Sequence, residues 1–519
     1  MRLVLLPLLV AAMLPLNAQA ARAQFAELRA PTAAGHPVAK KKRAAARRAS
    51  AAPASGGAIR YATPGSRTDL ANDLGDMLGK AMRSGNWGVL VVSLTNGDTL
   101  FGRNPDAALL PASTMKLFTS AFALDRFGSS GRFETEVLRA GALGTDGVLR
   151  GDLVLRGAGD PTLGGKSAEN GGEPPMVALA RQIAASGVKR VSGGVVGDAS
   201  AFDDRHVPDG WRKRYLGAAY AARVSALSFN ENKITMVVRP DGGHASIGFE
   251  PAISGVPLNN EVKVVSGSRG GRIGVRQDST GRFAVVGWIG AQSAPRDYQY
   301  VVEAPELFAA GALRAALAGA GVTVDGPVRL GVAPQGAVRI AAQASPTLDK
   351  IVTQMNGESN NHFAELLFRN AARSGGAAGS AESGNVLLHR FLTDKVNVPA
   401  EDVFAADGSG LSTLDRVTPR AMVHLLVYAK RTSWGPVFEA SLPVAGRTET
   451  LKRRMKYTPA MGNLHAKTGT TNDVASLGGY VTAKNGEQLA FSFIYNGRDR
   501  WRAKEAMDAM GATLANFSR

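Results

Sequence analysis

Cysteine is absent from this 519-residue sequence, and its absence excludes several kinds of chemistry together. Without thiols the chain forms no disulfide, uses no cysteine nucleophile and offers no thiolate to a metal ion. Histidine is also scarce, because there are 7 and none stands in a His-Glu-x-x-His arrangement. We therefore expect neither a metal hydrolase nor a bound cofactor, and a fold held together by its hydrophobic core.

Long apolar runs are missing as well, except at the N-terminus, so the sequence predicts no membrane-spanning helix beyond it. Arg2 precedes an almost unbroken apolar stretch from Leu3 to Leu16, and Ala18-Gln19-Ala20 follows as a small-residue cleavage site. This arrangement is typical of a secretory signal. We predict a signal peptide over residues 1–20 and export to the periplasm or another extracytoplasmic face.

The net charge of +18 comes in part from the segment that follows the predicted signal. Between residues 22 and 48 there are eight lysines and arginines and a single acidic residue, Glu27, with little apolar content. Such composition predicts a disordered basic tail over residues 21–60. The tail either contacts an anionic membrane or wall polymer or is a solvated linker without a partner. Nucleic acid is not expected as a partner of an exported chain.

The remaining sequence predicts a mixed α/β (α+β) fold in which one region is inserted into another. Residues 61–132 and 345–519 contain most of the predicted helices, with a buried strand beginning at Trp87 and a hairpin turn at Asn96-Gly97. Residues 133–344 are instead rich in short strand-like segments separated by glycine-rich turns. We predict that they form a mostly-β accessory region of two subdomains, interrupted by helices at Pro175–Ser186 and Pro305–Ala320.

Several further helices are predicted on either side of this insert. The first runs from Asp69 to Arg83, and a second includes Ser113 at or near its start and ends before Gly128. After the insert, the predicted helices are Thr347–Met355, Asn361–Ser374, Pro419–Lys430 and Trp501–Phe517.

The first motif with chemical meaning is Ser113-Thr-Met-Lys116. Residues three apart on a helix share a face, so the lysine amine lies near the serine hydroxyl. A serine hydroxyl is a poor nucleophile until a base takes its proton, and a neutral lysine amine can act as that base. The backbone N–H groups at a helix N-terminus can also stabilise an oxyanion. Taken alone, Ser113 is better explained as a helix cap.

Two more motifs follow in order, Ser359-Asn360-Asn361 and Lys467-Thr468-Gly469. Ser359 is predicted to relay a proton to a leaving amine, and Asn361 to hold Lys116 or a substrate amide. Lys467 adds positive charge, while the hydroxyls of Thr468 and Thr470 suit a carboxylate. Gly469 is expected to leave room for a substrate lying along the strand.

Each motif alone is a weak signal. A second Ser-x-x-Lys occurs at Ser186–Lys189, but Ser186 is expected at the C-terminal end of its helix, where no oxyanion site forms. Lys-Thr-Gly occurs once. The ordered set of three, each in suitable local structure, favours a serine acyl-enzyme hydrolase with Ser113 as nucleophile.

The set resembles that of the penicillin-binding proteins and serine β-lactamases. Further runs resemble the penicillin-binding protein 4 type of D-alanyl-D-alanine carboxypeptidase/endopeptidase (low-molecular-mass class C, peptidase family S13). These runs are Gly151–Leu163, Ala226–Asn232, Asp407–Ser412 and Lys467–Thr470. The long interval between the first and second motifs also matches, and the resemblance extends over about residues 67–519. One departure is Thr413, where the family pattern has Arg.

The resemblance implies a transpeptidase-like fold and cleavage of peptidoglycan stem peptides through an acyl-enzyme on Ser113, with Lys116 as the base. It also implies that the N–H groups of Ser113 and Thr470 form the oxyanion hole and that β-lactams acylate Ser113. Asp160 either reads an amino group of the stem peptide or caps the turn before Pro161, and both interpretations stay open.

Three alternative functions fit the sequence less well. A β-lactamase on the same scaffold would need a Glu-x-x-Leu-Asn run after Ser359, which the sequence lacks. An esterase would not need a carboxylate pocket at Lys467–Thr470. A non-catalytic wall-binding protein would not need to retain Ser113 and Lys116.

Overall fold

The structure is a computed structural model that describes residues 60–81, 85–164, 172–278 and 280–519. The predicted signal peptide and all but the last residue of the predicted basic tail lie outside the described residues. The predicted end of the first helix, Arg83, also lies outside them.

A five-stranded antiparallel sheet joins the two ends of the described chain. Its strands are β1 (Asn86–Ser93), β2 (Thr99–Arg103), β18 (His465–Thr470), β19 (Val474–Thr482) and β20 (Gln488–Asn496). Their order is β18-β19-β20-β1-β2, so β1 pairs with β20 in the interior and β18 lies at an edge. The predicted Asn96-Gly97 hairpin is confirmed, since β1 and β2 pair across it.

Helices cover both faces of this sheet because its strands alternate apolar side chains between two cores. Trp87, Val89 and Val91 pack on one side with α1 (Arg67–Ala81) and α10 (Arg500–Ala515). Leu90 packs on the other side. The helices of that side are α2 (Met115–Phe127), α5 (Leu348–Glu358), α6 (Asn361–Arg373), α7 (Ala381–Phe391), α8 (Pro419–Lys430) and α9 (Gly435–Ala440).

Two further sheets lie within residues 133–344. The seven-stranded sheet contains β3 (Glu134–Leu143), β4 (Val148–Arg156), β5 (Arg190–Val191), β6 (Val195–Asp198), β13 (Thr323–Val324), β14 (Val328–Leu330) and β15 (Val338–Ala344). The six-stranded sheet contains β7 (Lys233–Asp241), β8 (His244–Glu250), β9 (Leu258–Val265), β10 (Gly271–Gln277), β11 (Phe283–Gly290) and β12 (Arg296–Val301). The helices α3 (Pro175–Ala185) and α4 (Pro305–Gly319) and both sheets contribute to one hydrophobic core.

The large, mostly-β insert is thus present. Its two sheets share a core, whereas the division of the chain into domains and subdomains stays a prediction. The short strands β16 (Val403–Phe404) and β17 (Arg416–Val417) flank a mostly buried loop, residues 405–415, on the helical side of the fold.

Candidate active site

Ser113 lies in a single 3₁₀ turn, Ala112–Thr114, that leads directly into α2. The hydroxyl of Thr114 donates a 2.7 Å hydrogen bond to the carbonyl oxygen of Pro111 and so closes the turn. Ala112 has a positive φ of 47°. The predicted position of Ser113 at the start of a helix is therefore confirmed, and it places the serine beside the backbone N–H groups of the first helical turn.

Lys116 is fully buried, and its Nζ contacts three acceptors. These are Ser113 Oγ at 3.0 Å, Asn361 Oδ1 at 2.6 Å and the carbonyl oxygen of Ser409 at 2.6 Å. Burial lowers the pKa of Lys116 to about 8, against the opposing influence of buried carboxylates. A neutral amine can donate to Asn361 and Ser409 and present its lone pair to the Ser113 hydroxyl. The geometry therefore suits removal of the serine proton.

The second motif forms the junction between α5 and α6. Ser359 ends α5 in the left-handed conformation, with φ 58° and ψ 41°. Asn360 caps α6, because its side chain accepts a hydrogen bond from the Phe363 N–H at 3.2 Å. Asn361 is the first residue of α6, and its Nδ2 donates to the Tyr220 carbonyl oxygen at 2.9 Å. This sharp junction turns Ser359 and Asn361 toward the two lysines.

Lys467 approaches the same site from β18. It is fully buried, and its Nζ lies 2.9 Å from Ser359 Oγ. Burial and the nearby positive charge of Lys116 hold the pKa of Lys467 well below its usual value. Each buried lysine thus contacts one serine hydroxyl, Lys116 that of Ser113 and Lys467 that of Ser359.

The outer edge of β18 offers backbone donors to this site. The N–H of Ala466 points away from β19 and bonds to the Pro443 carbonyl oxygen at 2.9 Å. Because N–H groups alternate in direction along a strand, those of Thr468 and Thr470 also point outward. The N–H of Thr470 therefore lies outside the β18–β19 ladder, and Thr470 lines the same cavity as Ser113.

The threonine hydroxyls near this edge have different surroundings. Thr468 Oγ1 donates to Thr450 Oγ1 at 3.1 Å and is largely buried. Thr470 Oγ1 donates to the carbonyl oxygen of Gly469 at 2.8 Å, and Thr470 is exposed at the end of the strand. Of these two threonines, Thr470 lines the cavity described next.

A cavity of about 330 Å³ brings the motifs together. From the predicted set it is lined by Ser113, Ser359, Asn361 and Thr470. Residues that the motifs did not indicate complete its wall, notably Tyr215, Tyr220, Leu411 and Arg500. A larger cavity of about 840 Å³ lies between α3 and α4 in the insert, and none of the predicted site residues lines it.

Three buried carboxyl groups lie behind Lys116. Asp407 accepts hydrogen bonds from the N–H groups of Ser409, Gly410 and Ser412, at 3.0, 2.6 and 2.7 Å. It also accepts from Nε1 of Trp211, at 2.7 Å, which ties the insert to the catalytic side. These hydrogen bonds fix the loop whose Ser409 carbonyl contacts Lys116.

The other two acids favour the neutral form. Burial, together with the charge of Asp407, raises the pKa of Glu365 to about 8 and that of Asp415 well above its usual value. Glu365 Oε1 is buried without a hydrogen-bond partner. No spacing pattern in the sequence marks Glu365, and the Asp407–Ser412 run indicates only a family resemblance.

Asp160 lies in a turn of the insert. Its Oδ1 accepts hydrogen bonds from both the N–H and the hydroxyl of Thr162, at 2.8 and 2.7 Å. Burial raises the pKa of Asp160 to about 6. Within the described part of the chain, Asp160 does not line the cavity that contains Ser113. This placement favours the turn-capping interpretation over the substrate-reading one.

Comparison with known proteins agrees with the family resemblance of the sequence. The profile of the family described as D-Ala-D-Ala carboxypeptidase 3 (S13) matches residues 70–517. A D-alanyl-D-alanine carboxypeptidase of Actinomadura sp. (strain R39) is 35% identical over 474 residues, which are 87% of this chain and 85% of the relative. The D-alanyl-D-alanine carboxypeptidase DacB of Haemophilus influenzae is 25% identical over 431 residues, covering 82% and 88%.

A solved structure shows the same fold. The crystal structure of penicillin-binding protein 4 from Haemophilus influenzae superposes with a TM-score of 0.71 at 24% identity. The match covers 84% of this chain and 97% of that one. The predicted fold, a penicillin-binding-protein scaffold with a large inserted region, is thereby confirmed.

Proposed function

The chain belongs to the D-Ala-D-Ala carboxypeptidase 3 (S13) family, as its motifs predicted, and we propose that Ser113 is the nucleophile of its serine D,D-peptidase activity. The observation that carries this assignment is the 3.0 Å contact between Lys116 Nζ and Ser113 Oγ. The contact lies at a cavity that Ser359 and Thr470 also line. The substrate class is the stem peptide of peptidoglycan, cleaved at the bond between two D-alanines.

Acylation follows from the positions of the two lysines and two serines. Neutral Lys116 takes the hydroxyl proton of Ser113 as Oγ bonds to the substrate carbonyl carbon. The N–H groups of Ser113 and Thr470 stabilise the resulting oxyanion. The proton then passes from Lys116 through the Ser359 hydroxyl to the leaving nitrogen. The C–N bond breaks, D-alanine leaves as an amine, and the peptide remains as an ester on Ser113.

Deacylation regenerates the enzyme when water attacks this ester and its proton returns through Lys116. A β-lactam presents a strained amide in place of the D-Ala-D-Ala bond, so it acylates Ser113 in the same way. Its amine stays attached to the acyl group after the ring opens and hinders the approach of water. We therefore expect long-lived acylation by penicillins.

The cellular location forms a second part of the proposal. The N-terminal signal features support export to a compartment that contains peptidoglycan, and the basic tail supports contact with an anionic membrane or wall polymer. In the part of the chain that the structure describes, no helix combines the length and apolarity needed to cross a membrane.

Measurement of D-alanine release from a pentapeptide ending in D-Ala-D-Ala tests the catalytic assignment. The Ser113→Ala variant should release none. The matched control is Ser186→Ala in the other Ser-x-x-Lys run, where the hydroxyl donates to the Ile183 carbonyl oxygen at 2.7 Å at the end of α3. That variant should retain full activity. Equal activity in Ser113→Ala and the wild type would overturn the proposal, and parallel assays on a cross-linked dimer would rank endopeptidase activity.

A further inference from the structure

Glu231 connects the insert to the second of the three motifs. Its Oε2 accepts a hydrogen bond from Asn360 Nδ2 at 3.0 Å and forms an ion pair with Lys233 Nζ at 2.9 Å. Asn360 is the central residue of the Ser359–Asn361 motif and also caps α6. The contact therefore brings a carboxyl group of the insert next to the junction between α5 and α6.

The turn that contains Glu231 has an unusual backbone conformation. Asn230, Glu231 and Asn232 have φ values of 51°, 51° and 55°, a left-handed region that residues other than glycine rarely adopt. Asn230 Nδ2 donates to the Lys233 carbonyl oxygen at 2.7 Å. The fully buried Asn232 donates to the Arg223 carbonyl oxygen at 2.8 Å. These bonds hold the turn, and its conformation directs the Glu231 side chain toward the start of α6. Strained backbone of this kind clusters at functional sites.

Glu231 is charged in these surroundings. Burial by itself raises the pKa of Glu231, but the charge of Lys233 and the hydrogen bonds from Lys233 and Asn360 hold this pKa below its usual value. His362 also lies nearby, and burial lowers its pKa to about 4, so its ring is neutral at neutral pH. Asn360 thus donates to a carboxylate, and such a charge-assisted hydrogen bond is stronger than one between neutral groups.

The residues on either side of Asn360 contact the two buried lysines. Ser359 Oγ lies 2.9 Å from Lys467 Nζ. Asn361 Oδ1 lies 2.6 Å from Lys116 Nζ. A displacement of Asn360 would disturb both contacts together, and a misplacement of about 1 Å in a site of this kind can cost about 100-fold in rate.

We propose that Glu231 is a positioning residue for the reaction, which acts through Asn360 to hold the junction between α5 and α6 against the two lysines. The inference rests on the proposed function. Within the described part of the chain, Glu231 does not line the catalytic cavity. Its substitution should therefore lower kcat and leave KM for a peptide substrate nearly unchanged.

Exchange of the two polar groups tests this role. Asn360→Asp keeps a good helix cap but sets two carboxylates against each other, so kcat for D-alanine release should fall by about 10- to 100-fold. In the double variant Glu231→Gln/Asn360→Asp, amide and carboxylate have traded places, and the net charge beside Lys233 is that of the wild type. The glutamine amide can donate to the new carboxylate, so the double variant should recover most of the lost kcat.

Glu231→Ala removes the contact and should lower kcat by about 10-fold. The matched control is Glu136→Gln, because the Glu136 side chain is 19% exposed, against 20% for Glu231, and forms ion pairs with Arg156 and Arg339. Among the described residues, none of the three motifs hydrogen-bonds to Glu136, so this variant should keep the kcat of the wild type.

Denaturant unfolding of each variant separates effects on folding from effects on catalysis. If folded Glu231→Ala or Asn360→Asp kept the kcat of the wild type, Glu231 would only tie the insert to α6 and the inference would fail. A folded double variant no faster than Asn360→Asp would refute it as well.

Acylation of Ser113 by a fluorescent penicillin gives a second measure that does not depend on peptide turnover. The acylation rate should fall in Glu231→Ala and Asn360→Asp and rise again in the double variant. A wild type that cleaves no D-Ala-D-Ala peptide would contradict the proposed function. Equal acylation rates in the wild type, Glu231→Ala and Asn360→Asp would instead refute the positioning role, whether or not peptide is cleaved.

Discussion

Gly469 of β18 lies directly against the turn that carries Ser113. A Cβ atom on residue 469 would lie 3.1 Å from the Ser113 backbone nitrogen, 2.7 Å from the Pro111 carbonyl oxygen and 2.0 Å from Ser476 Oγ. The expectation that this glycine leaves room for substrate is therefore incomplete. The lack of a side chain at residue 469 also lets β18 approach the turn that carries Ser113, and this close approach sets the width of the oxyanion site.

Substituting Gly469 with alanine should separate β18 from Ser113. Because the added Cβ meets backbone atoms that cannot move independently, we expect the acylation rate to fall by about 100-fold or more, in line with loss of an oxyanion donor. Gly478→Ala is the matched control, since a Cβ on that neighbouring strand would make only 3.5 Å contacts with Leu117 and Met422 side chains. Equal rates in the two variants, measured with a fluorescent penicillin, would refute this role of Gly469.

The pKa of Lys116, lowered to about 8, predicts how acylation depends on pH. Only the neutral amine accepts the Ser113 proton, so the acylation rate should rise with pH and level off above about 8. Glu365, whose own pKa is about 8, becomes negatively charged in the same pH range and then raises the pKa of Lys116, so the isosteric change Glu365→Gln should move the upper part of this rise to lower pH. Stopped-flow acylation between pH 6 and 10 measures both. A rate independent of pH across that range would argue against Lys116 as the base.

Glu365 should also make stability depend on pH. Its folded pKa is raised to about 8 from a reference value of 4.5, so the folded protein retains a proton that the unfolded chain releases between these values. The free energy of unfolding therefore has a contribution from Glu365 that is present below about pH 4.5 and is lost as pH rises through about 8. Glu365→Gln removes this contribution.

Denaturant unfolding at pH 5 and pH 8.5 measures how the contribution of Glu365 to stability depends on pH. The stability of Glu365→Gln relative to the wild type should increase by a few kcal/mol between the two pH values. The pKa of Asp415 is also raised, in part by the charge of Glu365, so Glu365→Gln reduces this shift and changes the comparison in the same direction. Glu505→Gln, at an exposed position of α10, serves as the control. A difference between Glu365→Gln and the wild type that is the same at both pH values would contradict the expectation.

Asp160 either caps a turn or binds an amino group of the stem peptide, and the two roles predict different effects of substitution. Because both hydrogen bonds of Asp160 Oδ1 go to Thr162, Asp160→Ala should lower stability by about 1 kcal/mol per lost bond. KM should not change for peptides with or without an amino group on the third residue. Asp160→Asn retains the acceptor oxygen and should be milder. A rise in KM confined to the amino-bearing peptide would instead support substrate reading.

Local patterns predicted the long elements of this fold well. Pro419–Lys430 was predicted to its ends, because Thr418 caps the helix and proline occupies its first position. Ser186 stands where its sequence context indicated, at the C-terminal end of α3 before Gly187 with φ 93°. The helix α7 was not predicted, because Ser383, Gly384 and Asn385 give its first turns low intrinsic propensity.

The three motifs identified some residues of the site and missed others. Ser113, Ser359 and Lys467 have recognisable neighbours in sequence, whereas Glu365 and Arg500 do not. Arg500 meets the turn after β18 only because α10 packs across β19. The pairing of β1 with β20, which are the first and last strands among the described residues, and the contact of Trp211 with Asp407 arise from tertiary packing that no local spacing records.

Covalent labelling tests the central claim most directly. The mature protein is incubated with a fluorescent penicillin, digested, and the adduct is located by mass spectrometry. The account predicts one adduct, an ester on Ser113. A D-Ala-D-Ala peptide should compete with its formation, and it should be absent from Ser113→Ala. The central claim would be contradicted if Ser113→Ala were labelled as strongly as the wild type, or if the adduct were on another residue of the folded wild type.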